Sequence, residues 1–270
     1  MTLSELRRRL SDAGIEDADV EARLLFSHVA GLPAHRLIGG DPVCSDPSLA
    51  DLLARRLDRV PLAYLLGEVA FHRETYRVTP DVLIPRPDTE LLVEEAIKRI
   101  PAGVRFADLC CGSGCIGISV LANRPDLNCV SVDLSPAAVS LTRLNAEKNG
   151  VFDRLSVLSA DLFALPDDPS GFGALLCNPP YIASGVIPTL SPEVLHEPRA
   201  ALDGGEDGLA FYREIARRLP SLLAPGGIAL LEIGYDQADA VADLFSACGA
   251  PPEIRRDYGG NPRLAILSRP

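Results

Sequence analysis

The sequence predicts an α/β protein: a mostly parallel sheet covered by helices on both faces, ending in an antiparallel hairpin and preceded by a small helical domain. Three observations carry this reading. Beyond Gly103, short apolar runs alternate with longer stretches of helical period, the pattern of strands joined by crossover helices. Before residue 67, apolar residues recur at helical spacing. Successive strand ends carry Asp108 with a glycine loop, Asp133, Asp161 and Asn178, and open α/β sheets bind ligands at the carboxyl ends of their strands.

Residues 1–66 form the helical part. Leu3, Leu6 and Leu10 share one face; Val20, Leu24, Leu25 and Val29 make a second stripe behind Glu16-Asp17; Leu49, Leu52, Leu53 and Leu57 follow the cap Asp46-Pro47. A unit of this kind ahead of a larger domain is expected to recognise a partner. Residues 67–82, with Phe71, Tyr76 and Val78 around Arg73-Glu74, read as a linking hairpin. The main domain occupies 83–270. It opens with Pro85 and Pro87 holding the chain extended, after which Asp88 or Thr89 caps a helix carrying Leu91, Leu92, Val93, Ala96 and Ile97. Strands are expected over 104–109, 129–132, 156–158, 174–177 and 227–233, and helices around 116–121 and over 136–148, 207–219 and 237–247. Runs 253–256 and 264–267 close the sheet as a hairpin around Tyr258-Gly259-Gly260-Asn261.

A chain of 270 residues, 47% hydrophobic and 23% charged, can hold one large core and a small accessory domain. No apolar run approaches the roughly 18–20 residues of a membrane span, and Met1-Thr2-Leu3-Ser4-Glu5 lacks the basic start of a signal peptide. The cytoplasm is the expected compartment. A net charge of −11 and a pI near 4.9 argue against binding long stretches of nucleic acid, which needs clustered Lys and Arg, and suit a basic protein partner. The seven cysteines, an odd number without a disulfide framework, read as buried free thiols. Cys110, Cys111 and Cys115 lack suitably spaced Cys or His partners, so no metal is expected.

The stretch Asp108-Leu109-Cys110-Cys111-Gly112-Ser113-Gly114-Cys115-Ile116-Gly117 lies where the first strand of the main domain gives way to a helix. Gly112 and Gly114 let backbone approach a ligand closely and adopt positive φ. Asp133, followed by Leu134-Ser135-Pro136, can accept hydrogen bonds from both hydroxyls of a ribose. Asp161 can bond an adenine amino group while Leu162 packs on the ring. Each acid alone reads equally well as a helix cap; their joint arrangement points to a nucleoside cofactor. S-adenosylmethionine fits better than NAD, because carboxylates tolerate its sulfonium cation and because a methyl donor needs an acceptor at the fourth strand.

That strand ends in Leu175-Leu176-Cys177-Asn178-Pro179-Pro180-Tyr181. Two prolines have fixed φ and no N–H, so the chain leaves the sheet as a stiff, extended segment. The Asn178 side-chain oxygen and a main-chain carbonyl before proline are acceptors that can hold an NH2 group by both hydrogens, with the Tyr181 ring covering the planar group that carries it. The implied target is a primary amide or an exocyclic amine.

These residues resemble class I S-adenosylmethionine-dependent methyltransferases, Rossmann-like enzymes that act here on amide or amino nitrogen. The stretch Leu83-Ile84-Pro85-Arg86-Pro87-Asp88-Thr89-Glu90, the Asn-Pro-Pro-Tyr at 178–181, and His196-Glu197-Pro198-Arg199-Ala200-Ala201-Leu202-Asp203-Gly204-Gly205 with Asp207-Gly208 closely resemble the HemK/PrmC family of peptide chain release factor N5-glutamine methyltransferases. The likeness runs from about Pro61 to Arg269. It implies that Gly112, Ser113, Gly114 and Asp133 bind S-adenosylmethionine and that Leu162 sits at its adenine, and the strand-end pattern adds Asp108, Cys110, Cys111, Leu134, Asp161 and Asn178 as expected cofactor contacts. It further implies that Asn178, Pro179, Pro180 and Tyr181 hold and activate the glutamine of a release factor's Gly-Gly-Gln loop, with Arg86 and Glu197 on the substrate side. The helical segment stands where the family has its release-factor-binding domain, and the enzyme is expected to act as a monomer. Family members often carry glycine in place of Cys110 and an aromatic in place of Leu162.

The expected chemistry is positioning: hydrogen bonds accepted from both N–H groups return electron density to an otherwise poor amide nucleophile, and no strong base is needed. His196 is expected to be an ordinary loop residue. The rival readings are an N6-adenine methyltransferase, which would need a basic groove for a flipped base, a cofactor-binding regulator without activity, and a methyltransferase redirected to another protein or a small-molecule amide.

Overall fold

The computed structural model describes residues 1–164 and 171–269. Residues 165–170 and 270, which fall within the expected main domain, lie outside them. The chain divides into two compact units, Met1–Glu68 with Ser191–His196, and Val69–Leu190 with Glu197–Pro270.

The smaller unit is helical: α1 (Leu3–Asp12), α2 (Ala18–Ala30), α3 (Ser48–Leu57) and α4 (Leu62–Leu66). Thr2 caps α1 by accepting from Glu5 N at 3.1 Å. Leu3, Leu6 and Leu10 are buried as expected, and so are Leu49, Leu52 and Leu53. The stripe of α2 differs from the expectation. The face turned inward is Ala18, Ala22, Leu25 and Phe26, while Val20 is 47% exposed. Small alanines bring the backbone of α2 close to its neighbours, and counting only large apolar residues misses that face. Arg56 is buried here, paired with Glu21 through Nε at 2.7 Å and with Glu193 at 3.2 Å.

The larger unit begins with a hairpin, β1 (Glu68–Phe71) and β2 (Glu74–Arg77), whose Phe71 and Tyr76 join its core. Next come α5 (Glu90–Arg99), β3 (Arg105–Leu109), α6 (Cys115–Asn123), β4 (Asn128–Asp133), α7 (Pro136–Lys148), β5 (Leu155–Ser159) and β6 (Phe172–Cys177). They are followed by α8 (Ala210–Leu222), β7 (Leu223–Glu232), α9 (Ala238–Ala247), β8 (Glu253–Arg256) and β9 (Pro262–Ser268). Among the described residues β3–β9 form one seven-stranded sheet in the order β5-β4-β3-β6-β7-β9-β8. Neighbours from β5 to β7 run parallel, and β9 is antiparallel to both β7 and β8.

Both faces of the sheet's inner strands are buried, which is why β3, β6, β7 and β9 read as continuous apolar runs, whereas the edge strands β5 and β8 are partly exposed. Phe106, Leu176, Leu230 and Leu264 face α5, α6 and α7, while Ala107, Leu175, Leu231 and Ala265 face α8 and α9. Period two along each strand divides one run between two cores. Helix α8 starts at Ala210, three residues later than expected, because Gly208 adopts φ 76 and cannot belong to a right-handed helix. The order reverses at β3, with β4 on one side and β6 on the other, and the carboxyl ends of these strands frame the site.

Candidate active site

The larger unit contains a cleft of about 670 Å³ at the carboxyl ends of β3, β4, β5 and β6. Its lining includes Cys110, Cys111, Gly112 and Ser113 after β3, Asp133 and Leu134 after β4, Asp161 and Leu162 after β5, and Asn178 and Pro180 after β6. Arg86 and Thr89 contribute from the segment before α5, and Phe163 and Phe211 from the far wall. Residues scattered from Arg86 to Phe211 therefore meet in one place.

The turn from β3 into α6 passes through three left-handed residues, Cys110 at φ 56, Gly112 at φ 54 and Gly114 at φ 79. For Cys110 that conformation costs about 1–2 kcal/mol, which accounts physically for glycine being suited to its place. The loop is pinned throughout. Cys111 N donates to Val132 O at 3.1 Å, Gly114 N to Cys111 O at 2.7 Å, and the Thr142 hydroxyl to Gly112 O at 3.0 Å. Gly112 N donates to Asp133 Oδ2 at 2.8 Å, and Ser135 N to Asp133 Oδ1 at 2.9 Å. The Asp133 carboxylate is thus fixed in orientation at the cleft, with lone pairs left for further donors.

Asp108 and Gly114 are not among the lining residues. Asp108 is wholly buried beneath the loop, where Oδ2 accepts from Gly117 N at 3.0 Å and Oδ1 has no hydrogen-bond partner among the described residues. Burial pushes its carboxyl up to about 7; the Gly117 bond opposes this and the nearby Asp133 charge adds to it. The structure therefore gives Asp108 the role of a support for the loop and the start of α6, in place of the expected position against a ligand. Gly117 is required there, since a Cβ would lie 2.9 Å from Asp108 Oδ2.

After β5, Asp161 Oδ1 accepts from Phe163 N at 2.9 Å. Leu162 is 5% exposed and packs mainly into the core beneath α8. The aromatic surface of the cleft comes instead from Phe163, 47% exposed, in edge-to-face contact with Phe211 at 5.3 Å. The ring sits one position later than the sequence reading placed the apolar contact.

At the end of β6 the two prolines carry the chain out of the sheet as expected. Asn178 Nδ2 donates to Thr89 Oγ1 at 3.3 Å, and Asn178 Oδ1 accepts no hydrogen bond among the described residues. Pro179 and Tyr181 are not lining residues. Tyr181 is held from two sides: its hydroxyl donates to Glu232 Oε1 at 3.3 Å, and its carbonyl accepts from Gln237 Nε2 at 2.9 Å. Ile182 N donates to Leu202 O at 3.0 Å and Gly204 N to Ile182 O at 2.8 Å, so the segment around 199–205 braces the exit from the sheet. Burial, with the Glu232 charge, raises the Tyr181 hydroxyl well above its ordinary value, so it stays protonated.

Glu197 is likewise placed behind the cleft. It is 5% exposed, accepts from Ile84 N at 3.0 Å and pairs with Arg86, which does line the cleft. It holds the proline-braced segment and aims Arg86. His196 belongs to the smaller unit, where its Nε2 bonds Asp58 O at 3.0 Å. Three residues the sequence reading passed over complete the picture. Thr89, expected as a helix cap, makes no capping bond and instead donates through Oγ1 to Glu232 Oε2 at 2.6 Å. Glu232 is buried, and burial moves its carboxyl up to about 7 against the Thr89 hydrogen bond and the Arg263 charge. Asn145 donates to Ser113 O at 2.9 Å and to Arg77 O at 3.0 Å, tying the glycine loop to β2. A carboxylate closing the apolar run 228–232 and an amide on the inner face of α7 were the available signals.

Comparison with known proteins bears on this geometry. Residues 2–67 match the PrmC N-terminal domain, and residues 87–208 match the methyltransferase small domain. A release factor glutamine methyltransferase of Caulobacter vibrioides is 41% identical, covering 96% of this chain and 92% of its own; one of Cereibacter sphaeroides is 42% identical, covering 97% and 95%. Among solved structures, a methyltransferase from Pyrococcus furiosus superposes with a TM-score of 0.55 at 13% identity, covering 72% of this chain and 88% of its own. A ribosomal protein L11 methylase from Lactobacillus delbrueckii subsp. bulgaricus gives 0.52 at 18%, covering 72% and 85%. These two likenesses show the shared Rossmann-like fold, whereas the sequence relatives agree along both units. The chain belongs to the release factor glutamine methyltransferase family.

Proposed function

We propose that this chain transfers a methyl group from S-adenosylmethionine to the side-chain amide nitrogen of the glutamine in the Gly-Gly-Gln loop of a peptide chain release factor. The observation that carries the reading is the Asn178 amide: its N–H is committed to Thr89, and its oxygen is left as an acceptor in a residue that lines the cleft.

The residues present fit the cofactor. Asp133 offers oriented carboxylate oxygens for ribose hydroxyls, and a Cβ added at Gly112 would meet nothing within 4 Å, so backbone can come close to a ligand there. Asp161 and the loop's main chain suit the remaining polar groups, Cys110, Cys111, Ser113 and Leu134 line the same wall, and Leu162 with Phe163 supplies an apolar surface for a base. When bound, S-adenosylmethionine supplies an electrophilic methyl carbon on a cationic sulfur.

The protein's own part is to hold the acceptor. An amide nitrogen is a weak nucleophile because its lone pair is shared with the carbonyl. Asn178 Oδ1 accepts one N–H, and the main-chain carbonyl of Pro179 the other, favouring return of density to nitrogen as the N–C bond forms. Pro180 fixes the path of the backbone, Tyr181 braces that path from behind the cleft through Glu232 and Gln237, and Arg86 steadies the peptide. Alignment of nitrogen with the methyl group supplies a proximity effect worth up to roughly 7–11 kcal/mol. The proton passes from the nitrogen to solvent after the bond has formed, with the donor's sulfur left as a neutral thioether. The smaller unit recognises the body of the release factor, and the enzyme acts as a cytoplasmic monomer. Among the described residues no helix is long and apolar enough to cross a membrane, and the charge of −11 suits a basic protein substrate.

The test is incubation of the full chain with methyl-labelled donor and a purified release factor. Label is expected on the release factor and not on a variant lacking the loop glutamine. Asn178→Ala is expected to lower turnover by roughly 100-fold or more with donor affinity nearly intact. Label on nucleic acid, or undiminished turnover by Asn178→Ala, overturns the reading.

A further inference from the structure

Behind Asn178 runs a series of hydrogen bonds with a direction, buried at its centre. Asn178 Nδ2 donates to Thr89 Oγ1 at 3.3 Å, Thr89 Oγ1 donates to Glu232 Oε2 at 2.6 Å, and the Tyr181 hydroxyl donates to Glu232 Oε1 at 3.3 Å. Thr89 and Glu232 are each 2% exposed. They come from the segment before α5 and from the end of β7, elements remote from Asn178 in sequence.

A hydroxyl has one proton, and an ionised carboxylate can only accept. With the Thr89 proton given to Glu232, Oγ1 presents lone pairs alone to Asn178. Those lone pairs hold an NH2 and repel a carbonyl oxygen, so the NH2 of Asn178 is turned toward Thr89 and Oδ1 away from it. The two ends of an asparagine amide are nearly equal in shape, so packing alone does not select between its two orientations and the hydrogen-bond partners must. Only one of the two orientations offers an acceptor to an incoming N–H.

We propose that Thr89 and Glu232 are positioning residues that fix the Asn178 amide with its oxygen toward the acceptor nitrogen, so that the ionised Glu232 carboxylate sets the direction of the whole series. This rests on the reading of Asn178 as the group that accepts from the substrate amide.

A dependence on pH follows. A protonated Glu232 can itself donate to Thr89, which frees the Thr89 proton to turn toward Asn178 and permits the reversed amide. Several charged or titratable groups face Glu232. Tyr181 follows β6, Arg263 comes from β9, Asp88 from the turn before α5, Cys115 from α6 and Tyr212 from α8. Arg263 favours the ionised carboxylate and Asp88 opposes it; Tyr181, Tyr212 and the Cys115 thiol, all raised by burial, remain neutral. With burial holding the Glu232 carboxyl at about 7, turnover rises as pH passes through that value from below.

The experiment measures kcat and KM for the release factor, and donor affinity by calorimetry, across this pH range. The full-length proteins compared are wild type, Thr89→Val, Thr89→Ser, Glu232→Gln, Asn178→Ala and the Thr89→Val/Asn178→Ala pair. Thr89→Val is expected to lower kcat by roughly 10- to 100-fold, with KM and donor affinity unchanged. Thr89→Ser restores turnover, and Thr89→Val adds nothing to Asn178→Ala. Glu232→Gln removes the inflection near 7, a change that isolates Glu232 because Asp108 is present in both proteins. If Asn178→Ala turns over normally, the underlying reading of Asn178 fails. If Asn178→Ala is inactive while Thr89→Val and Glu232→Gln keep wild-type kcat and pH profile, that reading stands and this inference is overturned. Should Thr89→Val fail to fold, the Glu232→Gln profile decides alone: an unchanged inflection refutes the inference.

Discussion

Asp108→Asn tests the account of the loop's buried support. The Asp108 carboxyl is wholly enclosed, and its pKa rises from 3.8 to about 7, with burial the largest cause. The sign is set by proton counting: between those values the folded protein keeps a proton that the unfolded chain has lost. Stability therefore falls as pH rises through the window, by about 1.4 kcal/mol per unit, and levels off above the folded value. From about pH 5 to about pH 8 this one group removes about 3 kcal/mol. Asparagine keeps an oxygen for Gly117 N–H but cannot titrate, and its buried NH2 adds a cost of about 1–3 kcal/mol that does not vary with pH. The informative quantity is thus the difference between variant and wild type, measured by urea unfolding across that range. It should move in favour of the variant by about 3 kcal/mol from the acid end to the alkaline end. Glu232 shifts stability in the same direction, but in both proteins, and cancels. A difference that stays constant with pH would refute the argument.

Two further perturbations probe packing. Gly112→Ala and Gly114→Ala both place a side chain at positive φ, but only at Gly114 would the new Cβ meet neighbours, 2.7 Å from Thr142 Cγ2 and 2.9 Å from Ile118 Cδ1. The expected losses are about 1 kcal/mol at Gly112 and about 3 kcal/mol at Gly114; equal shifts in thermal unfolding would contradict the clash. In the smaller unit, Arg56→Ala strips Glu21 and Glu193 of a guanidinium whose side chain is 6% exposed. Leaving partly buried carboxylates behind should cost about 3–5 kcal/mol, and a loss under about 1 kcal/mol in chemical denaturation would show that the pair behaves as a surface ion pair.

Which parts of this protein were legible in its sequence follows from the range of the interactions that make them. The positions of the strands could be anticipated because β3, β6, β7 and β9 carry continuous buried apolar runs, a pattern written within a few residues. The groups at the strand ends, Asp133, Asp161 and Asn178, were legible for the same reason: strand, turn and helix start are adjacent in sequence. The inner face of α2 was not, because Ala18 and Ala22 bury little surface themselves and gain their place from close approach. Thr89 was read as a cap since threonine before a helix usually is one; its actual partner is Glu232, 143 residues away. Asp108 looked like a ligand group by adjacency to the glycine loop, and only the direction of its side chain, turned under α6, separates it from Asp133.

The remote contacts share one property: they fix orientation, while the local motifs supply the chemical groups. Asn145 shows this most plainly. Its oxygen accepts from Arg77 N at 2.8 Å, and its two N–H groups are given to Arg77 O and Ser113 O. Buried within the protein, such an amide is stable only when both ends are satisfied, so β2 and the glycine loop are held at a set separation by one side chain. The hairpin expected as a linker is thereby part of the loop's mounting. Glu197 does the same for Arg86, which it pairs directly while accepting from Ile84 N, and Glu232 for Asn178 through Thr89. In each case a buried polar group with limited freedom is what a flexible cleft residue leans on, and the rigidity of the site follows from satisfied hydrogen bonds behind it as much as from the loops that face the ligand.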